Sequence, residues 1–286
     1  MVDLHSHSTE SDGALSPREL MFAAREAGLS AIALTDHDTL AGLEEAEAAA
    51  KEAGLRFIPG IEMDIAYRGG EFHLLGLGIY GWRESGLAQT LALLQADRTR
   101  RNKTILAAMN ADGVSADYAE VEAFAGGDIV GRPHFARLLV ARGRVRDTEE
   151  AFQRYLKPGM PYYARRSGLC AEEAAALIHE AGGRAVSAHP LSLRLGWSAF
   201  EEKLAALKAG GIDGIEAWHS NAQKSECRRF EVIARELGML TSAGSDFHGG
   251  HLPGRKLGRV CEGTIPIDDC FARPFLQETG YSPANA

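Results

Sequence analysis

The chain has 286 residues, of which 45% are hydrophobic and 24% are charged, and its formal net charge is −8. This length fits one large domain, or one domain that carries an inserted subdomain. The acidic balance excludes sequence-independent binding along duplex DNA, which needs a broad basic face, but a small anionic ligand held by a few local cations remains compatible with it.

Cysteine usage and apolar runs indicate the compartment. Cys170, Cys227, Cys261 and Cys270 are widely spaced and form no C-x-x-C pair. We therefore expect reduced thiols rather than disulfides or a zinc knuckle. Neither a signal peptide nor an apolar run of about 18 residues is present, so we expect a cytoplasmic protein without a membrane partner. The sequence does not indicate an oligomeric state.

Strands and helices alternate from the first residue. MVDLH predicts a strand, and LSPRELMFAAREAG predicts a helix that begins with a capping box at Ser16 and Glu19 and ends at Gly28. LSAIALTDHD and LRFIPGIE predict two further strands on either side of the helix LAGLEEAEAAAKEAG. MDIAYRGGEFHLLGLGIY then predicts a hairpin with Arg68 at its turn.

The middle of the chain is helical throughout. ESGLAQTLALLQADRTRRNKTILAAMNADG, DYAEVEAFAG, RPHFARLLVARG and DTEEAFQRYL all favour helices, and no convincing strand separates them. Alternation resumes at CAEEAAALIHEAGG and continues through the strands RAVSAHP, IDGIEAWHS and MLTSAGSDFHG. We therefore assign a barrel domain to 1–83 and 170–286, and a helical insertion, with a lid or substrate-binding role, to 84–169.

The fold class follows from this order of elements. Strands that alternate with helices of ten or more residues predict parallel pairing with helical crossovers. About seven such strands around one core predict an α/β barrel related to the TIM barrel, in which the carboxyl ends of the strands meet at one rim.

Histidines and acidic residues recur where the predicted strands end. The nine residues are His5, His7, Asp12, His37, Glu62, His73, His189, Asp246 and His248. A single histidine at such a position is more often a hydrogen-bonded structural residue, but nine converging donors exceed what one ion needs. The pattern predicts two or three divalent cations, and imidazole with carboxylate suits zinc, manganese or iron.

The motifs HSHSTESDG, TDHD, GIE, FHLLG, AHP and SDFH, in this order, resemble the PHP (polymerase and histidinol phosphatase) family of amidohydrolase-like enzymes. The resemblance covers residues 1 to about 81 and about 170 to 260. It implies a distorted (β/α)7 barrel, a trinuclear metal centre and phosphoester hydrolysis, in which clustered cations activate water and neutralise phosphate oxygens. All nine residues are then both catalytic and metal-binding.

Carried over by position, the resemblance implies three ligand sets. They are His5, His7, Glu62 and Asp246; Asp12, His37 and His248; and His73 and His189 with Glu62 bridging. Several relatives have histidine where this chain has Asp12, and the harder oxygen donor favours manganese or iron, with manganese as our first expectation and zinc as a further possibility.

Two segments of the insertion indicate a narrower class of substrates. GRPHFARLL and FQRYLKPGMPYY resemble the branch that includes a 3′,5′-nucleoside bisphosphate phosphatase and nucleases that trim RNA 5′ ends. We expect hydrolysis of a small nucleotide such as adenosine 3′,5′-bisphosphate to the 5′-monophosphate. A 5′→3′ exonuclease acting on short RNA and a histidinol-phosphate phosphatase are the alternatives.

A substrate with a second phosphate needs cations beyond the metal site. We predict contacts from Arg132, whose guanidinium matches phosphate, and from His134, Lys103, Asn221 and His219. Each of the first three has a structural alternative: a surface ion pair for Arg132, a helix cap or packed ring for His134, and a solvated helix face for Lys103.

Overall fold

The computed structural model describes residues 1–67, 69–125, 130–164, 168–251 and 254–277. The chain forms two compact units, Met1–Ala88 with Leu169–Ala286, and Gln89–Gly168. The predicted turn residue Arg68 lies outside the described residues. No helix in the described segments is long and apolar enough to cross a bilayer.

The first unit contains one seven-stranded sheet in which spatial order follows chain order. Its strands are β1 (Val2–Asp3), β2 (Ala31–Leu34), β3 (Arg56–Asp64), β4 (His73–Leu77), β5 (Arg184–Ser187), β6 (Gly214–His219) and β7 (Leu240–Gly244). The short pair β8 (Arg259–Val260) and β9 (Ile265–Pro266) lies outside this sheet and is not predicted from the sequence.

The helices of the first unit are α1 (Pro17–Glu26), α2 (Leu43–Ala53), α7 (Ala171–Glu180), α8 (Trp197–Ala209) and α9 (Lys224–Glu236). The capping box at Ser16 is confirmed, because Ser16 accepts from the Glu19 amide while the Glu19 side chain accepts from the Ser16 amide. Gly54 ends α2 in the left-handed conformation, with φ of 69°.

Backbone hydrogen bonds join the first and last strands. Leu4 N donates to Ala243 O at 3.2 Å, and Asp246 N donates to His5 O at 2.9 Å. The sheet therefore closes on itself, and the α/β barrel prediction is confirmed. Apolar side chains fill the interior, among them Leu4, Ile58 and Val186, which are fully buried.

The sheet is not entirely parallel. β4 runs antiparallel to β3, as the hairpin prediction requires, and also antiparallel to β5, while all other neighbours are parallel. The start of β4 therefore lies at the same rim as the carboxyl ends of the parallel strands.

The second unit is a helical cluster with its own apolar core. Its helices are α3 (Leu87–Ala111, which begins just before the unit boundary), α4 (Tyr118–Ala125), α5 (Arg132–Ala141) and α6 (Thr148–Ala151), followed by a π-helical turn at Phe152–Leu156. Phe135, Met109 and Leu139 are fully buried in it. No strand occurs in its described residues, as the sequence predicts.

Candidate metal centre and active site

The nine predicted ligands converge at the rim of the barrel. His5, His7 and Asp12 follow β1, His37 follows β2, Glu62 lies near the end of β3, His73 begins β4, His189 follows β5, and Asp246 and His248 follow β7. His73 reaches the rim because β4 is antiparallel, so that its first residue is level with the last residues of its neighbours.

Glu62 lies at the centre of the cluster and is 1% exposed. One carboxylate oxygen, Oε1, lies 2.8 Å from both His73 Nδ1 and His189 Nε2. The other, Oε2, lies 3.0, 3.2 and 3.4 Å from nitrogen atoms of His5, His7 and His37, in that order. Five imidazoles from four separate segments therefore surround one carboxylate.

The separations between donor atoms fit shared cations. Two ligands about 2.1 Å from one ion, at an angle of about 90–110°, lie roughly 3.0–3.4 Å apart. His7 Nε2 lies 3.2 Å from both Glu62 Oε2 and Asp246 Oδ1, and His248 Nε2 lies 3.2 Å from Asp12 Oδ1. His7 Nε2 is buried without a partner in hydrogen-bond geometry, and a cation held where these atoms converge would satisfy it.

The hydrogen-bond network of His189 identifies which of its nitrogens carries the proton. Ser192 donates its hydroxyl proton to Glu71 O at 2.9 Å, so its oxygen accepts from His189 Nδ1 at 3.0 Å. The Nε2 lone pair of His189 then faces the carboxylate oxygen Glu62 Oε1 at 2.8 Å. With a proton on Nδ1 alone, both atoms are acceptors, and a second proton or a bound cation is needed to hold them at this distance.

His248 shows the same arrangement. Its Nδ1 donates to the carbonyl oxygen of Asp246 at 2.8 Å, so the lone pair on Nε2 faces the carboxylate of Asp12. His5 contacts carboxylates through both nitrogens, Glu216 Oε1 through Nδ1 and Glu62 Oε2 through Nε2. Burial alone would lower the pKa of His5, but Glu62, Glu216 and Asp246 raise it well above its usual value, so the carboxylates favour positive charge here as well.

His219 differs from these ligands. Its Nδ1 accepts from the Asn221 amide at 3.1 Å, so Nε2 carries the proton and donates to Asp246 Oδ2 at 3.3 Å. Both nitrogens are satisfied in the neutral form. His219 therefore has no lone pair directed at the cluster.

The buried carboxylates of the site favour positive charge on the groups around them. Burial disfavours the charged form of His7, but Asp246 and Glu62 outweigh this effect and raise the pKa of His7 to about 10. At His73 burial also disfavours the charged form, but Glu62 outweighs this effect and raises the pKa of His73 to about 9. At Glu62 and Asp246 burial alone would raise the pKa, and the surrounding imidazoles instead hold it well below its usual value. Divalent cations bound here would supply the same positive charge.

Two residues of the cluster have an unusual backbone conformation. His189 has φ of 23° and Asp246 has φ of 54°, although neither is glycine. Non-glycine residues rarely adopt positive φ, and such strain concentrates at functional sites. Here it turns each side chain from its strand end into the cluster.

The donor atoms fall into overlapping groups whose members lie within 4.8 Å of one another. These groups are His5, His7, Glu62 and Asp246; His7, Asp12, His37 and His248; His37, Glu62 and His73; and His5, Glu216 and His219. The first three bring together the members of the predicted ligand sets, with His189 joined to the third through Glu62. Ligation itself stays a prediction.

Comparison with known proteins connects this cluster to a family. The model of the PHP domain matches residues 3–161. The chain is 35% identical to 3′,5′-nucleoside bisphosphate phosphatase of Chromobacterium violaceum over 278 residues, which cover 97% of this chain and 95% of that protein.

The chain belongs to the PHP family.

Two further comparisons agree. A 5′-3′ exoribonuclease of Haemophilus influenzae is 36% identical over 249 residues, covering 86% of this chain and 89% of that protein. A crystal structure from Bifidobacterium adolescentis, described as that of a metal-dependent phosphoesterase, superposes with a TM-score of 0.72 at 32% identity and covers 96% of this chain and 94% of that one. The resemblance inferred from the motifs is therefore confirmed, and the chain is a metal-dependent phosphoesterase with a PHP fold.

The PHP site opens into a cavity of about 400 Å³. Predicted ligands including His37, His73 and His189 line it, and so do the two predicted substrate contacts of the barrel, His219 and Asn221. A small phosphoester can therefore reach the cluster from solvent.

The other predicted substrate contacts lie in the second unit. Arg132 begins α5, donates to Leu156 O at 3.4 Å and lies 5.8 Å from the centre of the Tyr163 ring. His134 is 7% exposed, and its Nδ1 accepts from the Gly131 amide, as expected for the structural alternative. Lys103 is exposed on α3. Their contacts with substrate stay predictions.

Supporting residues of the PHP site were missed by the sequence analysis. Glu216 is fully buried in β6, accepts from His5 Nδ1 at 2.9 Å and accepts from the His189 amide at 2.7 Å. The sequence offered only the letters GIEAW, an acidic residue inside an apolar strand. Such a residue is expected to face either solvent or a buried partner, and this signal could have identified it.

Asp36 also supports the site, and it acts through the backbone. Its carboxylate accepts from Ser8 N at 2.7 Å, from Ser8 Oγ at 2.6 Å and from Ser11 Oγ at 2.6 Å. These bonds fix the loop between His7 and Asp12. Asp36 therefore positions these two ligands through the segment that carries them.

Proposed function

We propose that this PHP protein is a phosphatase that removes the 3′-phosphate of a nucleoside 3′,5′-bisphosphate, giving the nucleoside 5′-monophosphate and phosphate. The observation that carries the proposal is the cluster of six imidazoles and three carboxylates around Glu62, which opens into a cavity of a size that fits a small ligand. Similarity over 97% of the chain to a phosphatase of that name supports the substrate.

The nine clustered residues would hold two or three divalent cations, manganese first among them and iron or zinc as alternatives. When bound, such cations supply a nucleophilic water at neutral pH and neutralise the phosphate oxygens. Without cations, protonated imidazoles only balance the carboxylates of the cluster, so little excess positive charge is left to bind a phosphate dianion, and phosphate binding depends on metal.

Protein residues orient the rest of the substrate. Asn221 lines the cavity and offers both an amide donor and a carbonyl acceptor to a ribose hydroxyl. His219, whose Nδ1 accepts from the backbone N–H of Asn221, holds this residue at the cavity wall. Arg132 and Lys103 are assigned to the 5′-phosphate, which needs cations of its own, and His134, whose Nδ1 accepts from the Gly131 amide, is assigned a polar contact with the same group.

A 5′→3′ exoribonuclease acting on short RNA is the second candidate. It is supported by the 36% identity to an exoribonuclease over 86% of the chain. The same cluster serves either reaction, because both break a phosphoester bond. Nothing in the described part of the molecule favours histidinol phosphate, the third expectation, over these two.

The test measures phosphate and nucleotide release by the manganese-loaded protein. Adenosine 3′,5′-bisphosphate, adenosine 5′-monophosphate and a 5′-phosphorylated RNA tetramer serve as substrates. We expect the bisphosphate to be consumed with the highest kcat/KM and to yield adenosine 5′-monophosphate. Faster release of mononucleotides from the RNA would favour the exoribonuclease instead.

Arg132→Ala tests the assignment of the second phosphate. We expect kcat/KM for the bisphosphate to fall about 10-fold or more, which corresponds to about 1.4 kcal/mol, with little change for p-nitrophenyl phosphate. Arg137→Ala is the matched control, because Arg137 lies on the same helix and is exposed. Equal losses on both substrates would remove Arg132 from the binding site.

A further inference from the structure

Arg255 lies at the cavity of the metal centre, although no part of the motif pattern includes it. The side chain is partly buried, with 14% exposed, and it lines the cavity with His219, Asn221 and Asp246. Among the described lining residues it is the one arginine or lysine. The remaining charged lining residues are acidic, namely Glu62, Glu71 and Asp246.

Contacts with Asp246 fix the position of the guanidinium. Arg255 Nη1 donates to Asp246 O at 2.6 Å and forms an ion pair with Asp246 Oδ2. His219 Nε2 donates to the same carboxylate oxygen, Oδ2, at 3.3 Å. The two carboxylate oxygens of Asp246 are therefore divided: Oδ1 faces His5 and His7, whereas Oδ2 faces Arg255 and His219.

This division leaves the other N–H groups of the guanidinium, at the cavity wall, for an anionic ligand. Arg255 makes both of these contacts with Asp246 through Nη1, and a guanidinium has five N–H groups in a planar fork that matches phosphate oxygens. A phosphoryl group bound in the cavity beside the predicted ligands would lie near this fork, because Arg255 lines the same cavity. The anchoring by Asp246 reduces the conformational freedom that binding would otherwise remove.

We propose that Arg255 is a substrate-binding residue that contacts a non-bridging oxygen of the phosphoryl group at the metal centre. The proposal deepens the proposed function and rests on it. Arg255 thereby selects dianionic phosphate esters at the barrel itself, independently of the residues assigned to the second phosphate.

The experiment titrates inorganic phosphate into the manganese-loaded full-length protein by calorimetry. For Arg255→Met we expect the Kd for phosphate to rise at least 10-fold, with the manganese content per chain unchanged. Arg255→Lys keeps the charge but loses the fork, so an intermediate Kd is expected. Arg259→Met is the matched control, because Arg259 follows in the same segment, on β8, and does not line the cavity; its Kd is expected to equal that of the wild type.

Two results would overturn the proposal. A wild-type Kd in Arg255→Met would show that the guanidinium does not touch the anion. A lower manganese content in both Arg255 variants would show that Arg255 acts on the metal centre through Asp246. If the manganese-loaded wild type neither binds phosphate nor hydrolyses phosphoesters, the proposed function itself fails, and this outcome is distinct from a loss confined to the variants.

Discussion

At the scale of single residues, the site is organised around one buried carboxylate. Glu62 collects imidazole nitrogens from β4 and from the ends of β1, β2 and β5, and its two oxygens are shared among them. The proton positions of His189 and His248 leave lone pairs directed at carboxylate oxygens. His219 lacks this feature, although the sequence presents it at a strand end like the others.

Ser192→Ala tests how the proton position of His189 is fixed. Without the hydroxyl, His189 Nδ1 loses its acceptor, and Nε2 is no longer held with its lone pair toward Glu62. We expect manganese affinity to fall about 10–100-fold, the usual effect of removing such a supporting partner. Competition with a fluorescent chelator measures it.

Ser198→Ala provides the control, since Ser198 is exposed on α8. Unchanged manganese affinity in Ser192→Ala would mean that His189 keeps its orientation by other contacts, and the tautomer argument would lose its basis.

The cysteines give a second prediction at this scale. Cys227 and Cys261 are buried with their sulfur atoms 3.8 Å apart, whereas Cys170 and Cys270 are exposed. Burial raises the pKa of Cys227 to about 12 and also raises the pKa of Cys261. Because only the thiolate reacts, we expect Ellman's reagent at pH 8 to label two thiols rapidly in the folded protein and four in urea. Rapid labelling of all four before unfolding would contradict the buried pair.

At the scale of elements, close contact between the ends of β7 and β1 positions His5. A Cβ placed on Gly244 would lie 2.2 Å from His5 Cβ and 2.8 Å from Glu216 Oε1. Glycine at this position therefore lets the final strand close the barrel against the first metal-ligand segment.

Gly244→Ala tests this contact. The added methyl group displaces His5, so we expect the free energy of unfolding to fall by about 1–3 kcal/mol in urea titrations, together with weaker manganese binding. Gly196→Ala is the control, since a Cβ at Gly196 meets no atom within 4 Å. Equal stability of the two variants would show that the strand ends are less tightly packed than described.

Periodicity and capping residues predicted most elements because each is a local property. The helix at Pro17–Glu26 and the strand at Ala31–Leu34 follow directly from the capping box and from a short apolar run. The contacts of Ser192 and Arg255 depend on the packing of distant segments, so their roles could not be inferred from local sequence, whereas an acidic residue inside an apolar strand was a usable signal for Glu216. Arg255 in particular lies beyond the last motif, in a stretch without strong periodicity.

At the scale of the whole molecule, a net charge of −8 is compatible with a phosphate substrate, because the local field at the active site differs from the overall charge. The carboxylates of the rim are surrounded by imidazoles and favour the binding of cations. Bound cations would make the local electrostatic potential positive and so attract an incoming anion. The predicted division has two parts. We assign the phosphoester chemistry to the barrel and the selection of the second phosphate to the helical insertion. The insertion's part in this division remains a proposal that Arg132→Ala tests.

Manganese stoichiometry tests the central claim most directly. The full-length protein is stripped with a chelator, dialysed against manganese and measured by elemental analysis, with His7→Ala beside it. We expect two or three ions per wild-type chain and at least one fewer in His7→Ala, with phosphoesterase activity lost on stripping and restored with the metal. One ion or none bound to a folded wild-type chain, or the same content in both proteins, would contradict the account.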